Sequence, residues 1–207
     1  IHRTTLIASV VTTVPFVIVL VAFGSWPSWV VLAISLFAVV AYSAKGLRFK
    51  ERPFLDSVTS STHFVSPAIY ALALAGVAPT WPIVAFILAF FAWGIASHAF
   101  GAVQDIEADR EGGIASIATV IGGAATVRFA IGAYLIGGLL MLGTTWPGPL
   151  GGLLVLPYVA MCWPYRSVTD ATAATANRGW RRFLALNYVV GFLATMLLIW
   201  WALAHPV

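Results

Sequence analysis

The sequence predicts an all-α membrane protein of seven transmembrane helices. Three observations lead there: an apolar composition, long runs without charge, and charges gathered between alternate runs. Hydrophobic residues make up 61% of the 207 and charged residues 9%, against about 45–50% and about 25% in soluble domains. A hydrocarbon core about 30 Å thick takes about 20 apolar residues per helix. A charge at a helix centre costs about 2.5–3.5 kcal/mol on insertion scales, so uncharged runs can be divided directly into spans.

The first run, between Arg3 and Lys45, holds 41 residues and is broken at Ser25-Trp26-Pro27-Ser28. It gives spans at 4–23 and 28–43. The second, between Asp56 and Asp105, holds 48 and is broken at Gly76-Val77-Ala78-Pro79. Its spans are 60–76 and 81–103. The third, between Arg128 and Arg166, holds 37 and is broken at Trp146-Pro147-Gly148-Pro149, giving 124–144 and 150–165. The 25 residues after Arg182 allow one more span, 183–203. Proline and glycine favour turns, so the three breaks read as hairpin tips. Trp26, Trp29, Trp81 and Trp146 sit at them, where indole rings suit the membrane interface.

All eleven Lys and Arg and all seven Asp and Glu then fall at one end of the bundle. By the positive-inside rule that end is cytoplasmic and the C-terminus faces out. The net charge of +4 is therefore a matter of topology, and nucleic acid is not expected as a partner. The one cysteine, Cys162, excludes an internal disulfide and reads as a small packing residue. One membrane domain covers 1–207. The chain opens on Ile1 with no signal-peptide pattern, which predicts N-terminal truncation of a longer protein.

Four of the seven acidic residues lie in Asp105-Ile106-Glu107-Ala108-Asp109-Arg110-Glu111, ahead of Gly112-Gly113 as a helix stop. Asp105 and Asp109 are four apart and share a helix face. A divalent cation between them removes their repulsion, and Mg²⁺ prefers one or two carboxylates completed by substrate phosphates and water. Glu107 points about 200° away from Asp105 and is a weaker metal candidate. A solvated acidic loop would have the same spelling. The Asp105 face runs back through Ala102, Gly101, His98, Gly94 and Phe91. Its small residues leave a groove or serve close packing. His98, a polar residue in a span, is read both as a site residue and as a structural hydrogen-bonder.

The second constellation runs from Tyr42 to Asp56 and carries Lys45, Arg48, Lys50 and Arg52 within eight residues. Topology predicts some cations here, but beside a metal loop they can also grip a diphosphate and stabilise it as a leaving group. The stretch Ser57-Val58-Thr59-Ser60-Ser61-Thr62-His63 is costly against lipid and is expected to face the bundle interior, although Ser and Thr also bond back to their own helix.

At these two loops the sequence resembles the UbiA superfamily of membrane prenyltransferases. The acidic motif at 105–110, followed by Gly112 and Ala118-Thr119-Val120-Ile121-Gly122, resembles the family's second aspartate-rich motif, and 42–56 resembles its basic loop. The segment 47–63 further resembles the lycopene elongase branch. The resemblance implies a nine-helix bundle, in which the seven spans would be helices three to nine. It also implies about 70–100 residues before Ile1, at about 20 per span plus loops. The family's first motif, Asn-x-x-x-Asp-x-x-x-Asp, has no counterpart, because no aspartate precedes Asp56.

The activity implied is Mg²⁺-dependent transfer of a prenyl group from an allylic diphosphate to an apolar isoprenoid acceptor, lycopene or a related carotenoid. The residues implied are Asp105 and Asp109 for metal and catalysis, with His98 beside them. Tyr42, Lys45, Arg48, Lys50, Arg52, Asp56 and His63 would contact substrate, and Phe91 and Trp93 are candidate walls around a cation. The competing reading keeps the fold without the chemistry, as a membrane subunit that packs against a partner or binds lipid. A transporter is disfavoured, since no span carries a central charge and no inverted repeat is visible.

Overall fold

The computed structural model describes residues 2–206, and among them the secondary structure is helical throughout. Helix α1 (His2–Phe23) and α2 (Trp26–Ser43) form the first hairpin. Its tip is tied by Ser25 N–H to Ser28 Oγ at 2.8 Å and by Trp29 Nε1 to Val21 O at 3.0 Å. Helices α3 (Leu55–Leu74) and α4 (Trp81–Val103) form the second hairpin. After two short helices, α5 (Ile106–Glu111) and α6 (Ile117–Ile121), the long α7 (Gly123–Leu142) returns across the bundle. Residues 148–165 follow as a 3-10 stretch, α8 (Leu156–Cys162) and a second 3-10 turn. Helix α9 (Asn177–Ala204) closes the chain.

Among the described residues, five helical segments are long and apolar enough to cross a membrane: Arg3–Phe23, Trp26–Ser43, Trp81–Val103, Gly123–Leu142 and Asp170–Ala204. The expected seven included two more. One is α3, a full 20 residues long, whose buried polar side chains dilute its hydropathy. The other is 150–165, which Pro149, Pro157 and Pro164 help to break into shorter pieces. Helix bounds also move. Helix α3 begins at Leu55 rather than 60, so Asp56 lies in its first turn. Helix α9 begins at Asn177, taking Arg178, Arg181 and Arg182 into the helix beyond the apolar run.

The core sits between α4 and α7. Ala96, Ala99, Phe100, Val103, Val127, Ala130 and Tyr134 are buried together, with Tyr158, Cys162 and Phe183 from the later segments. Small residues let the helices approach. A Cβ on Gly94 would run into Ser61 Oγ, and one on Gly137 would come within 3.1 Å of Ala89 O. No part of the apolar window of α1 is buried, and its Leu6, Phe16 and Ile18 are exposed, as suits lipid-facing side chains.

Candidate functional site

The charged loops between the long helices meet at one end of the bundle. Asp56 is fully buried there. Its Oδ1 accepts from Ser57 N–H at 2.7 Å and from Ser57 Oγ at 3.2 Å, and its Oδ2 accepts from Ile117 N–H at 3.0 Å. A buried carboxylate holding backbone donors of two helices fixes α3 against α6. Asp170 does a similar job on the other side. It accepts from Arg110 Nη2 at 2.6 Å and from Gly123 N–H at 2.8 Å, tying the acidic loop to the start of α7.

Helix α4 stops at Val103, and a turn at 104–105 separates it from α5. Asp105 and Asp109 nonetheless stay one turn apart, with Asp109 N–H on Asp105 O at 2.8 Å. Ser116 Oγ donates to Asp109 Oδ2 at 3.0 Å. Among the described residues no protein donor reaches the Asp105 carboxylate. Burial pushes the Asp105 carboxyl above its ordinary value, and the Asp109 charge pushes it the same way.

Both aspartates line a cavity of about 390 Å³, together with Lys50, Asp56, His98 and Trp180. Gly101 forms part of its floor because Trp180 leaves no room for more, since a Cβ there would meet the ring at 3.0 Å. Glu107 does not line it, as its opposite helical direction predicts.

The remaining expected residues lie outside this cavity. Arg48 is paired with Glu51 at 2.6 Å. Arg52 donates to Gly46 O at 3.1 Å and sits over Phe49. Lys45 is exposed. Tyr42 meets the His63 ring edge to face at 5.5 Å, and His63 Nε2 is buried without a hydrogen-bond partner. Of the polar stretch, Ser57, Thr59 and Ser61 are buried as expected, while Thr62 bonds back to Val58 O at 2.9 Å.

A second cavity, about 510 Å³ and almost wholly apolar, lies deeper between α3, α4, α7, the 148–162 segment and α9. Phe90, Trp93 and Tyr158 are on its wall. An aromatic column joins the two spaces. Trp180 stacks on Phe183 at 4.7 Å, Phe183 on Trp93 at 5.9 Å, and Trp93 on Phe90 at 5.5 Å.

The residues present fit a divalent cation. Two like charges share a cavity, one carboxylate is unpartnered, and no lysine or arginine pairs with either among the described residues. Among those residues no three His, Cys, Asp or Glu are placed to hold a metal ion by themselves, so the remaining ligands would be substrate oxygens and water.

Comparison with known proteins bears on the same residues. The UbiA prenyltransferase family matches 1–187, which takes in both charged loops and every cavity residue named above. The chain belongs to the UbiA prenyltransferase family. It is 50% identical over 200 residues to a C(50) beta-cyclic carotenoids biosynthesis protein of Dietzia sp. (strain CQ4), covering 96% of this chain and 46% of that protein. It is 47% identical over 200 residues to a lycopene elongase/hydratase of Corynebacterium glutamicum, covering 96% of this chain and 69% of the relative. A lycopene elongase/hydratase of Halobacterium salinarum is 32% identical over 179 residues, 85% of this chain and 59% of that protein. The chain thus spans about half to two thirds of the length of these relatives. No solved structure matches it.

Of the residues expected from the sequence, Lys50, Asp56, His98, Asp105 and Asp109 come together on this cavity. Sequence reasoning missed Ser57 as a partner of His98, Ser116, Asp170 and Trp180. A hydroxyl, a carboxylate or an indole becomes a site residue only through neighbours tens of positions away, so no local spelling marks them.

Proposed function

We propose that this UbiA-family chain transfers a prenyl group from an allylic diphosphate to an apolar isoprenoid acceptor, and that the acceptor is lycopene or a related carotenoid. The observation that carries the reading is the pair of cavities joined by the Trp180–Phe183–Trp93 column. A carboxylate-lined pocket suits a metal diphosphate, and an apolar one below it suits isoprenoid chains. Relatives named lycopene elongase/hydratase support the choice of acceptor.

Asp105 and Asp109 would hold Mg²⁺, which when bound neutralises charge on the departing diphosphate. Lys50 faces the same cavity and binds the diphosphate by charge. Lys45, Arg48 and Arg52 form a basic rim outside it that attracts the anionic donor. The aromatic column gives an allylic cation π-faces in place of water. Positioning of the two chains and exclusion of water supply the rest. The charged end is cytoplasmic under this reading, where soluble diphosphates arrive.

Replacing Asp105 or Asp109 by Asn keeps the shape and removes a charge. Diphosphate release from an allylic diphosphate then falls by two or more orders of magnitude, on the order of 3 kcal/mol or more of barrier. Glu107→Gln has a much smaller effect. The assay is diphosphate release by the membrane-expressed protein, with lycopene as first acceptor. Normal turnover in either Asn variant would sink the catalytic reading.

A further inference from the structure

His98 lines the carboxylate cavity, and its ring is held from behind. Its Nδ1 lies 3.2 Å from Ser57 Oγ, and Ser57 Oγ lies 3.2 Å from Asp56 Oδ1. Asp56 is itself fully buried and anchored by backbone N–H groups of Ser57 and Ile117. The proton count along this chain selects one ring tautomer when the Ser57 hydroxyl points to Asp56. A carboxylate can only accept a hydrogen bond. Ser57 has one hydroxyl proton. Directed to the Asp56 carboxylate, it leaves Ser57 Oγ to accept from the ring, the arrangement with the imidazole proton on Nδ1. A neutral imidazole has one proton, so Nε2 keeps a lone pair.

That lone pair is not walled off. No protein donor or acceptor meets His98 Nε2 among the described residues. Only His63 Nε2 is both buried and unpartnered among them, so Nε2 of His98 opens on the space its ring lines. His98 thus points a base at the cavity where the diphosphate would part from the prenyl carbon.

We propose that His98 Nε2 is the base that ends the reaction, and that Asp56, acting through Ser57, is a positioning residue that fixes its tautomer. The proposal rests on the prenyl-transfer reading. When the allylic carbon loses diphosphate, the π pair of an acceptor double bond forms the new C–C bond. A tertiary cation remains on the acceptor. The neighbouring C–H bond then breaks, its electron pair becomes a new C=C, and its proton goes to Nε2. If no base takes that proton, water adds to the cation, loses a proton in turn, and leaves a hydroxyl. His98 therefore governs the partition between an elongated alkene and its hydrated counterpart.

His98→Gln keeps the bulk and a hydrogen-bonding amide but has no basic nitrogen. In the membrane-expressed protein, with an allylic diphosphate and lycopene, two quantities are followed: diphosphate released and the ratio of alkene to hydrated product. Alkene formation falls by about 10²-fold, the low end for loss of a general base, while diphosphate release persists and the hydrated share rises. Ser57→Ala frees the ring and moves the ratio the same way by a smaller factor, whereas Ser57→Thr keeps the hydroxyl and restores it. If His98→Gln does not fold, the Ser57 pair gives the same reading.

An unchanged product ratio in His98→Gln or in Ser57→Ala overturns the proposal. So does a raised KM for the diphosphate with the ratio intact, which would make His98 an anion ligand. Absence of diphosphate release in the unsubstituted protein is a separate result and overturns the prenyl-transfer reading itself.

Discussion

Asp105 and Asp109 are legible as residues because like charges one turn apart are chemically loud. Their electrostatics can be checked one atom at a time. Burial is the larger cause of the raised Asp105 carboxyl and the Asp109 charge the smaller. Asp109→Asn removes only the second, so Asp105 titrates at lower pH than before yet stays above an ordinary carboxyl. The chain has four aspartates, which makes carboxyl ¹³C NMR of Asp-labelled protein tractable, with Asp105→Asn as the assignment. An Asp105 midpoint that ignores Asp109→Asn would show that the pair does not share its field. The sign for stability follows from the same shift. A carboxyl raised in the folded state holds its proton longer than the unfolded chain does, so this group's contribution weakens as pH rises from the ordinary value through the raised one. Metal capture runs the other way and strengthens as Asp105 ionises.

At the scale of elements, the α3–α4 hairpin positions His98 against Ser57, and it depends on a missing side chain. Ser61 Oγ donates to Phe91 O at 2.6 Å in the space beside Gly94. A Cβ at 94 would collide with that hydroxyl and lie 3.0 Å from Ser61 Cβ. Gly94→Ala is expected to destabilise the fold by about 1–3 kcal/mol through overpacking. Ser61→Gly alone loses a hydrogen bond worth about 1 kcal/mol and adds a flexible residue. The double variant is less destabilised than the sum of the two, because the clash with the Ser61 side chain is gone and only a 3.2 Å approach to its Cα remains. Unfolding in detergent, followed by circular dichroism, reads all three. Strict additivity would mean that the helices do not touch there.

Helix α4 was readable from the sequence because nothing charged interrupts 81–103. The start of α3 was not, because a span counted on apolar residues opens only at 60, while the polar residues before it are helical too and meet partners across the bundle. The start of α9 was hidden for a related reason. Lipid rules exclude Arg178, Arg181 and Arg182 from a span, but a helix can extend beyond the bilayer. The 148–165 stretch misled in the opposite sense, since its composition suits a span while its prolines divide the helix.

For the whole molecule, the alternation of long helices sets which ends meet. The turns after α1, α3 and α7 lie together, as two contacts show. Tyr70 Oη donates to Leu20 O at 2.6 Å, linking the far ends of α3 and α1. Trp81 Nε1 donates to Gly143 O at 3.0 Å, linking the start of α4 to the end of α7. These tips carry no Lys, Arg, Asp or Glu, while the Asp56–Ile117 and Arg110–Asp170 contacts gather the charged loops at the other end. By the positive-inside rule we propose that Asp105, Asp109 and His98 face the cytoplasm. Single cysteines placed at Pro27, Pro79 and Gly148, in a Cys162→Ala background, test that orientation. In intact cells a membrane-impermeant maleimide should label positions 27, 79 and 148, while cysteines at Lys45 and Glu107 should react only after the cells are opened. Position 148 is the least permissive, since a Cβ there would run into Thr144 Oγ1, so 27 and 79 carry the decision. Labelling of 45 or 107 from outside would reverse the bundle and put the carboxylate cavity on the face that diphosphate donors do not reach.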